Sequence, residues 1–270
     1  METKRKIKIL TECSIMIALS TVLSIIKLLE LPYGGSITVA SMLPIVIISY
    51  RHGIKAGFGA ALAYSVIQLL LGINNLSYFT TWYSVVAIIL LDYIVAFAVF
   101  GLSGVFKGRF QSSALALTLG TLLCSLLRYA CHVISGSTVW AGLSIPSSAA
   151  FIYSVGYNAT YMIPETVVLS LAVFYIASVM ALDKNIPTPK MREKLDTGAT
   201  VLSLLAGLSI LIGLVVDTVL VFAKLQNEDS GEFAITGLSE VNLTAVIIVT
   251  VTSLAIAAVL FFIASHRKIK

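Results

Sequence analysis

Apolar runs long enough to cross a lipid bilayer, for which about 20 residues suffice, recur from one end of this sequence to the other. They fall at 9–30, 37–50, 54–72, 82–106, 112–135, 149–180, 198–223 and 241–265. No single water-soluble core can bury so many such segments. Composition agrees: 58% of the residues are hydrophobic, only 11% are charged, and the mean hydropathy is +0.99. The expectation is an all-α integral membrane protein of eight helices, with the first apolar run retained as an anchor.

The placement of the few charges sets an orientation. If the N-terminus is cytoplasmic, Lys4, Arg5, Lys6, Lys8, Arg51, Lys55, Lys107, Arg109, Lys184, Lys190, Arg192, Lys194, Arg267, Lys268 and Lys270 all fall on the inner side, fifteen of the eighteen basic residues. The other side carries Lys224 with Glu30, Glu228, Asp229, Glu232 and Glu240. Both termini are therefore expected in the cytoplasm. The formal charge of +5 reflects this topology and contact with anionic lipid, not a nucleic-acid surface.

One composition break divides the chain. The stretch DKNIPTPKMREKLDTG, Asp183–Gly198, holds two prolines and a run of charges, and separates six apolar segments (1–182) from two (198–270) by a cytoplasmic linker (183–197). Gly53, Gly57 and Ala61 recur at four-residue spacing in the third segment, which allows close helix approach; Ser14 and Ala18 form a similar pair in the first. Cys13, Cys124 and Cys131 lie in apolar segments and fit neither a disulfide framework nor a zinc site. There is no Walker motif, no glycine-rich nucleotide fingerprint and no HExxH pair. No cofactor or metal is expected in this chain.

Polar side chains inside such segments are costly, so they carry the most information about function. Asp92 lies ten residues into the fourth segment counted from Trp82, roughly 15 Å deep. Its carboxylate needs a partner, either Arg128, a helix-packing hydrogen bond or a ligand. Arg128 and His132 stand four apart, on one helix face, with Trp140 beyond them. In YSVGYNATYMIPE, Tyr153, Tyr157 and Tyr161 form an aromatic stripe, Asn158 is hard to place against lipid, and Glu165 is expected to pair with Arg128. One carboxylate, one imidazole, one amide and several rings suit a small, flat, partly cationic, hydrogen-bonding solute. The turn LPYGGS, Leu31–Ser36, falls on the same outer side and is placed to cap the pocket.

The segments PYGGSITVASMLPI, RHGIKAGFGAALAYSVIQLLLG, LDYIVAFAVFGLSGVF, RYACHVISG and YSVGYNATYMIPE, ordered over roughly residues 9 to 180, resemble the thiamine-specific substrate-binding subunits of energy-coupling factor transporters, the ThiT family. The resemblance implies a six-helix bundle without enzymatic activity in a bacterial plasma membrane. It would capture thiamine from outside and work with a transmembrane coupling subunit and two cytoplasmic ATPases that use the ATP. It places substrate contacts on Asp92, Tyr93, His132, Trp140, Tyr153 and Asn158, and coupling-subunit contacts on Ser14 and Ala18. Two departures stand out. Some relatives have tryptophan where this chain has Gly35 or Ser36, and Tyr64, so the stacking platform differs; and the helices from 198 to 265 are extra. The alternatives are uptake of a precursor such as hydroxymethylpyrimidine, a self-sufficient secondary carrier, an intramembrane enzyme using Asp92 and His132, and a structural scaffold.

Overall fold

In the computed structural model of the chain, which describes residues 2–31, 34–141, 150–190, 197–225 and 235–266, the apolar segments are helices. These are α1 (Glu2–Ile25), α2 (Leu43–His52), α3 (Ile54–Leu71), α4 (Trp82–Phe106), α5 (Ser113–Thr138), α6 (Ala150–Val179), α7 (Thr197–Phe222) and α8 (Leu243–His266). All but α2 are long and apolar enough to span a membrane, so the protein is an all-α multi-pass membrane protein. Pro32, Tyr33, Arg192, Lys194, Glu228, Asp229, Glu232, Arg267, Lys268 and Lys270 lie outside the described residues. Internal contacts divide the chain into two units, Met1–Pro189 and Lys190–Lys270.

The second apolar segment differs from the expectation of a helix over 37–50. Its helix starts only at Leu43 and runs ten residues, about 15 Å, too short to span. Pro44 through Tyr50 are all buried, as required of a helix that is apolar all round. Ahead of it, Ser36–Thr38 (β2) pairs antiparallel with Lys27–Glu30 (β1), which cuts α1 off at Ile25 instead of near residue 30. The hairpin closes where the Leu31 amide donates to the Gly35 carbonyl at 2.7 Å, and Gly34 takes the left-handed φ of 94° that such a turn needs.

Small residues let α2, α3 and α4 meet at backbone distance. A side chain on Gly57 would lie 2.7 Å from Ser49 Cα and 2.8 Å from the Gly101 carbonyl oxygen. Ser49 Oγ fills the remaining space, donating to the Gly101 carbonyl at 2.6 Å and accepting from the Gly104 amide at 2.9 Å. Cys124 is buried with its Sγ 3.1 Å from the Val99 carbonyl, and Cys13 is also buried. Helix α4 lies between α3 and α5, and α5 packs along α6.

One end of this unit gathers the basic residues. Glu12 on α1 pairs with Arg51, and His52 Nε2 lies 2.9 Å from the same carboxylate. Arg51 Nη1 donates to the Leu182 carbonyl at 2.7 Å, Lys8 Nζ to the Asn185 carbonyl at 2.7 Å, and Lys107 Nζ to the Tyr50 carbonyl at 2.7 Å. The starts of α1 and the ends of α2, α4 and α6 are thus tied at one end; the β1–β2 hairpin lies at the other.

In the second unit α7 and α8 pair in opposite directions. Ser209 Oγ donates to the Ser253 carbonyl at 3.1 Å, and Thr250 Oγ1 donates to Asp217 Oδ2 at 2.6 Å.

Candidate ligand-binding site

Asp92 sits in an irregular stretch of α4. Residues Ile89–Val95 wind as a wider π turn, a distortion common at functional positions, and the turn aims the carboxylate at α5. His132 Nδ1 lies 2.9 Å from Oδ1; Ser135 Oγ donates to Oδ2 at 2.7 Å and Trp140 Nε1 at 3.1 Å. Asp92, His132 and Trp140 therefore come together, with Ser135 as a partner that the sequence reading missed. Its position three residues after His132 in RYACHVISG put it on the same helix face. The Ser135 carbonyl also accepts the Trp140 amide at 3.2 Å, which folds the indole back over the carboxylate.

One layer further in, the Arg128 Nε donates to His132 Nε2 at 3.3 Å. A guanidinium can only donate, so Nε2 is the acceptor, and the imidazole proton sits on Nδ1, facing Asp92. His132 is neutral in this arrangement. Arg128 covers the Phe97 ring at 4.4 Å and forms the expected pair with Glu165, at 3.6 Å between Nη1 and Oε1. Both side chains are about nine-tenths buried. Thr38, at the base of the hairpin, donates from Oγ1 to Glu165 Oε1 at 3.1 Å. Tyr64, fully buried, meets Phe97 edge-on at 5.6 Å; it supports this layer from α3 instead of facing Asp92.

Rings wall the site. Trp140 packs edge-on to Phe79 at 4.7 Å and lies 5.9 Å from Tyr78. Tyr161 lies 6.3 Å from the His132 ring and 5.8 Å from Tyr157, centroid to centroid. Asn158 is buried against the same face: its Nδ2 donates to the Ser154 carbonyl at 2.9 Å and the His132 carbonyl at 3.3 Å, and its Oδ1 accepts from the Tyr161 hydroxyl at 2.7 Å. Tyr153 is buried on α6 one turn before Tyr157. The hairpin tip rests on this wall, since a Cβ on Gly35 would stand 2.8 Å from Tyr161 Cδ1 and 3.0 Å from the Tyr157 hydroxyl. Tyr157 and Tyr161 of α6 thus fill the space beside Gly35.

Tyr93 and Ser36 are placed elsewhere. The π turn sends Tyr93 away from its neighbour Asp92, to donate its hydroxyl to the Gly72 carbonyl at 3.0 Å and accept from Asn75 Nδ2 at 3.1 Å. It braces the loop after α3, on which Gly34 rests through Asn75. Ser36 lies in the strand opposite Glu30. Ser14 and Ala18 sit on the exposed face of α1, the Ser14 hydroxyl turned back to the Leu10 carbonyl at 2.9 Å.

Polar groups of this helical bundle thus converge on the partly buried Asp92 carboxylate, beside aromatic rings and the β1–β2 hairpin, within a multi-pass membrane protein. The chain matches the family model described as "Thiamine transporter protein (Thia_YuaJ)" over residues 10–185. It is 36% identical over 182 residues to the thiamine transporter ThiT of Bacillus subtilis (strain 168), covering 63% of this chain and 91% of that protein. A solved structure of ThiT from Listeria monocytogenes is similar in fold, with a TM-score of 0.53 and 24% identity, covering 65% of this chain and 95% of the other. The chain belongs to the thiamine transporter family, and its role is transport rather than catalysis. Helices α7 and α8 lie beyond the matched residues.

Proposed function

We propose that the chain is the substrate-capturing membrane subunit of a thiamine importer energised by partner proteins. The observation that carries the ligand half is a charge balance. With His132 neutral, this largely buried layer holds two carboxylates, Asp92 and Glu165, against the guanidinium of Arg128. The residual negative charge is what a ligand bearing one fixed positive charge neutralises, and buried charge without a counterion is costly. Thiamine carries that charge on its thiazolium ring. Its aminopyrimidine offers flat faces to Trp140 and the tyrosines, and edge groups to Asn158 and Asp92. The names of the similar proteins support the same ligand.

The basic end of the bundle faces the cytoplasm in this reading, with both termini inside, so the hairpin-capped site opens outward. Residues 1–182 bind the vitamin, 183–197 link, and 198–270 form an added membrane hairpin. The chain has no nucleotide-binding motif, so ATP hydrolysis falls to two cytoplasmic ATPases acting through a transmembrane coupling subunit. The exposed Ser14–Ala18 face of α1 is the surface offered to that subunit, because its small side chains allow a helix to approach. Bacterial cells unable to make thiamine test the scheme. Growth on low external thiamine is rescued when this chain is expressed with a coupling subunit and its ATPases, and is lost when the ATPases are inactivated. Rescue by the chain alone would overturn the partner-driven scheme.

A further inference from the structure

Two opposite charges one imidazole ring apart in a low-dielectric layer attract strongly, yet Arg128 and Asp92 do not close into a direct pair. Three contacts hold the guanidinium back: Nε on His132, the Phe97 ring beneath, and Glu165 at 3.6 Å. Of these three, Glu165 is the one that opposes the pull of Asp92 with charge. Glu165 is itself anchored: Thr38 has one proton to give and the carboxylate can only accept, so that proton goes to Oε1 at 3.1 Å, while the Ser41 hydroxyl at 2.9 Å and the Ser41 amide at 3.3 Å donate to Thr38 Oγ1. The other oxygen of Glu165, Oε2, is buried without a hydrogen bond, so among the described residues Thr38 and Arg128 are what hold the carboxylate in this layer.

We infer that Glu165 is a positioning residue that holds Arg128 off Asp92, and thereby keeps the Asp92 carboxylate free for a cationic ligand. The ligand half of this inference rests on the thiamine reading; the charge geometry does not. Without the charge on Glu165, Asp92 is the carboxylate left for Arg128 to pair with. The guanidinium then swings onto it and displaces His132, which loses both hydrogen bonds that fix its tautomer. A cationic ligand arriving at this site meets a carboxylate already neutralised. Because Thr38 ends β2, the base of the capping hairpin belongs to the same device.

Glu165→Gln removes the charge while keeping the shape and an acceptor for Thr38. The first readout needs no ligand: 15N-histidine NMR of the purified protein, with the His132 signal assigned among the three histidines by its loss in His132→Gln. The unmodified protein gives a neutral ring protonated at Nδ1, and Glu165→Gln abolishes that state. A ring protonated at Nε2 in the unmodified protein, or a signal that Glu165→Gln leaves unchanged, overturns the inference.

The second readout compares thiamine with its neutral aminopyrimidine moiety, 4-amino-5-hydroxymethyl-2-methylpyrimidine. Glu165→Gln weakens thiamine binding about tenfold or more and changes the neutral compound by less than about threefold. Equal losses for both would make Glu165 a packing residue and overturn the inference. Failure of the unmodified protein to bind thiamine would instead overturn the functional reading, and the NMR result would then decide this one alone. Should Glu165→Gln fail to fold, Thr38→Val removes the anchor of Glu165 and shifts the His132 signal in the same direction; no shift overturns the inference.

Discussion

Replacing Asp92 by asparagine keeps the size of the side chain and removes its charge, and the geometry gives the size of the effect. A ligand cation within about 4 Å of the carboxylate, at an effective dielectric of about 20, gains about 4 kcal/mol. Losing all of that weakens binding by about three orders of magnitude. The three donors that now converge on the carboxylate add a stability cost. One asparagine oxygen can serve His132 Nδ1 or the Ser135–Trp140 pair, and the new amide group then faces a donor, at a cost of about 1–3 kcal/mol. Calorimetric titration of detergent-purified Asp92→Asn with thiamine is expected to show a Kd raised about 100- to 1000-fold, with lowered thermal stability. The neutral aminopyrimidine moiety should lose far less. A thiamine Kd within about threefold of the unmodified protein, in folded Asp92→Asn, would refute the placement of the ligand charge at this carboxylate.

Other expectations follow from separate parts of the molecule. Gly120→Ala places a Cβ 1.9 Å from the Ser103 carbonyl oxygen, so α4 and α5 must separate; a loss of about 1–3 kcal/mol should appear as a lower unfolding temperature, while an unchanged one would contradict the packing. A chain truncated after Pro189 retains the whole first unit and should bind thiamine with unchanged affinity by equilibrium dialysis; lost binding would give α7 and α8 a part in the site. Ser14→Trp roughens the exposed face of α1 without touching the polar layer, so ATP-driven uptake should fall while binding by the purified chain stays constant. Loss of both together would move this face out of the docking role.

Much of the site was legible because polar groups in hydrocarbon are scarce and helical spacing is strict. Asp92 stands alone in its segment, and the four-residue steps from Arg128 to His132 and along Tyr153, Tyr157 and Tyr161 fix their shared faces. The pairing of Arg128 with Glu165 followed from the cost of leaving either alone. What stayed hidden depended on irregular backbone. The π turn in α4 parts Tyr93 from Asp92, and nothing in the apolar run Ile89–Val95 signals an extra residue in the turn. Thr38 escaped notice because Ile37–Tyr50 reads as one continuous apolar helix, although its first residues pair with Lys27–Glu30 as a strand. The approach of Tyr157 and Tyr161 to Gly35 depends on tertiary packing between hairpin and α6, which spacing along one helix does not reveal.

The central claim is that this buried layer binds thiamine, and tryptophan fluorescence tests it most directly. The chain has two tryptophans; Trp82 is largely exposed at the start of α4, whereas Trp140 is buried with its indole on Asp92. Titration of the purified protein with thiamine should give saturable quenching that persists in Trp82→Phe and disappears in Trp140→Phe. Folded protein that shows no saturable response to thiamine, or a response carried entirely by Trp82, would contradict the account.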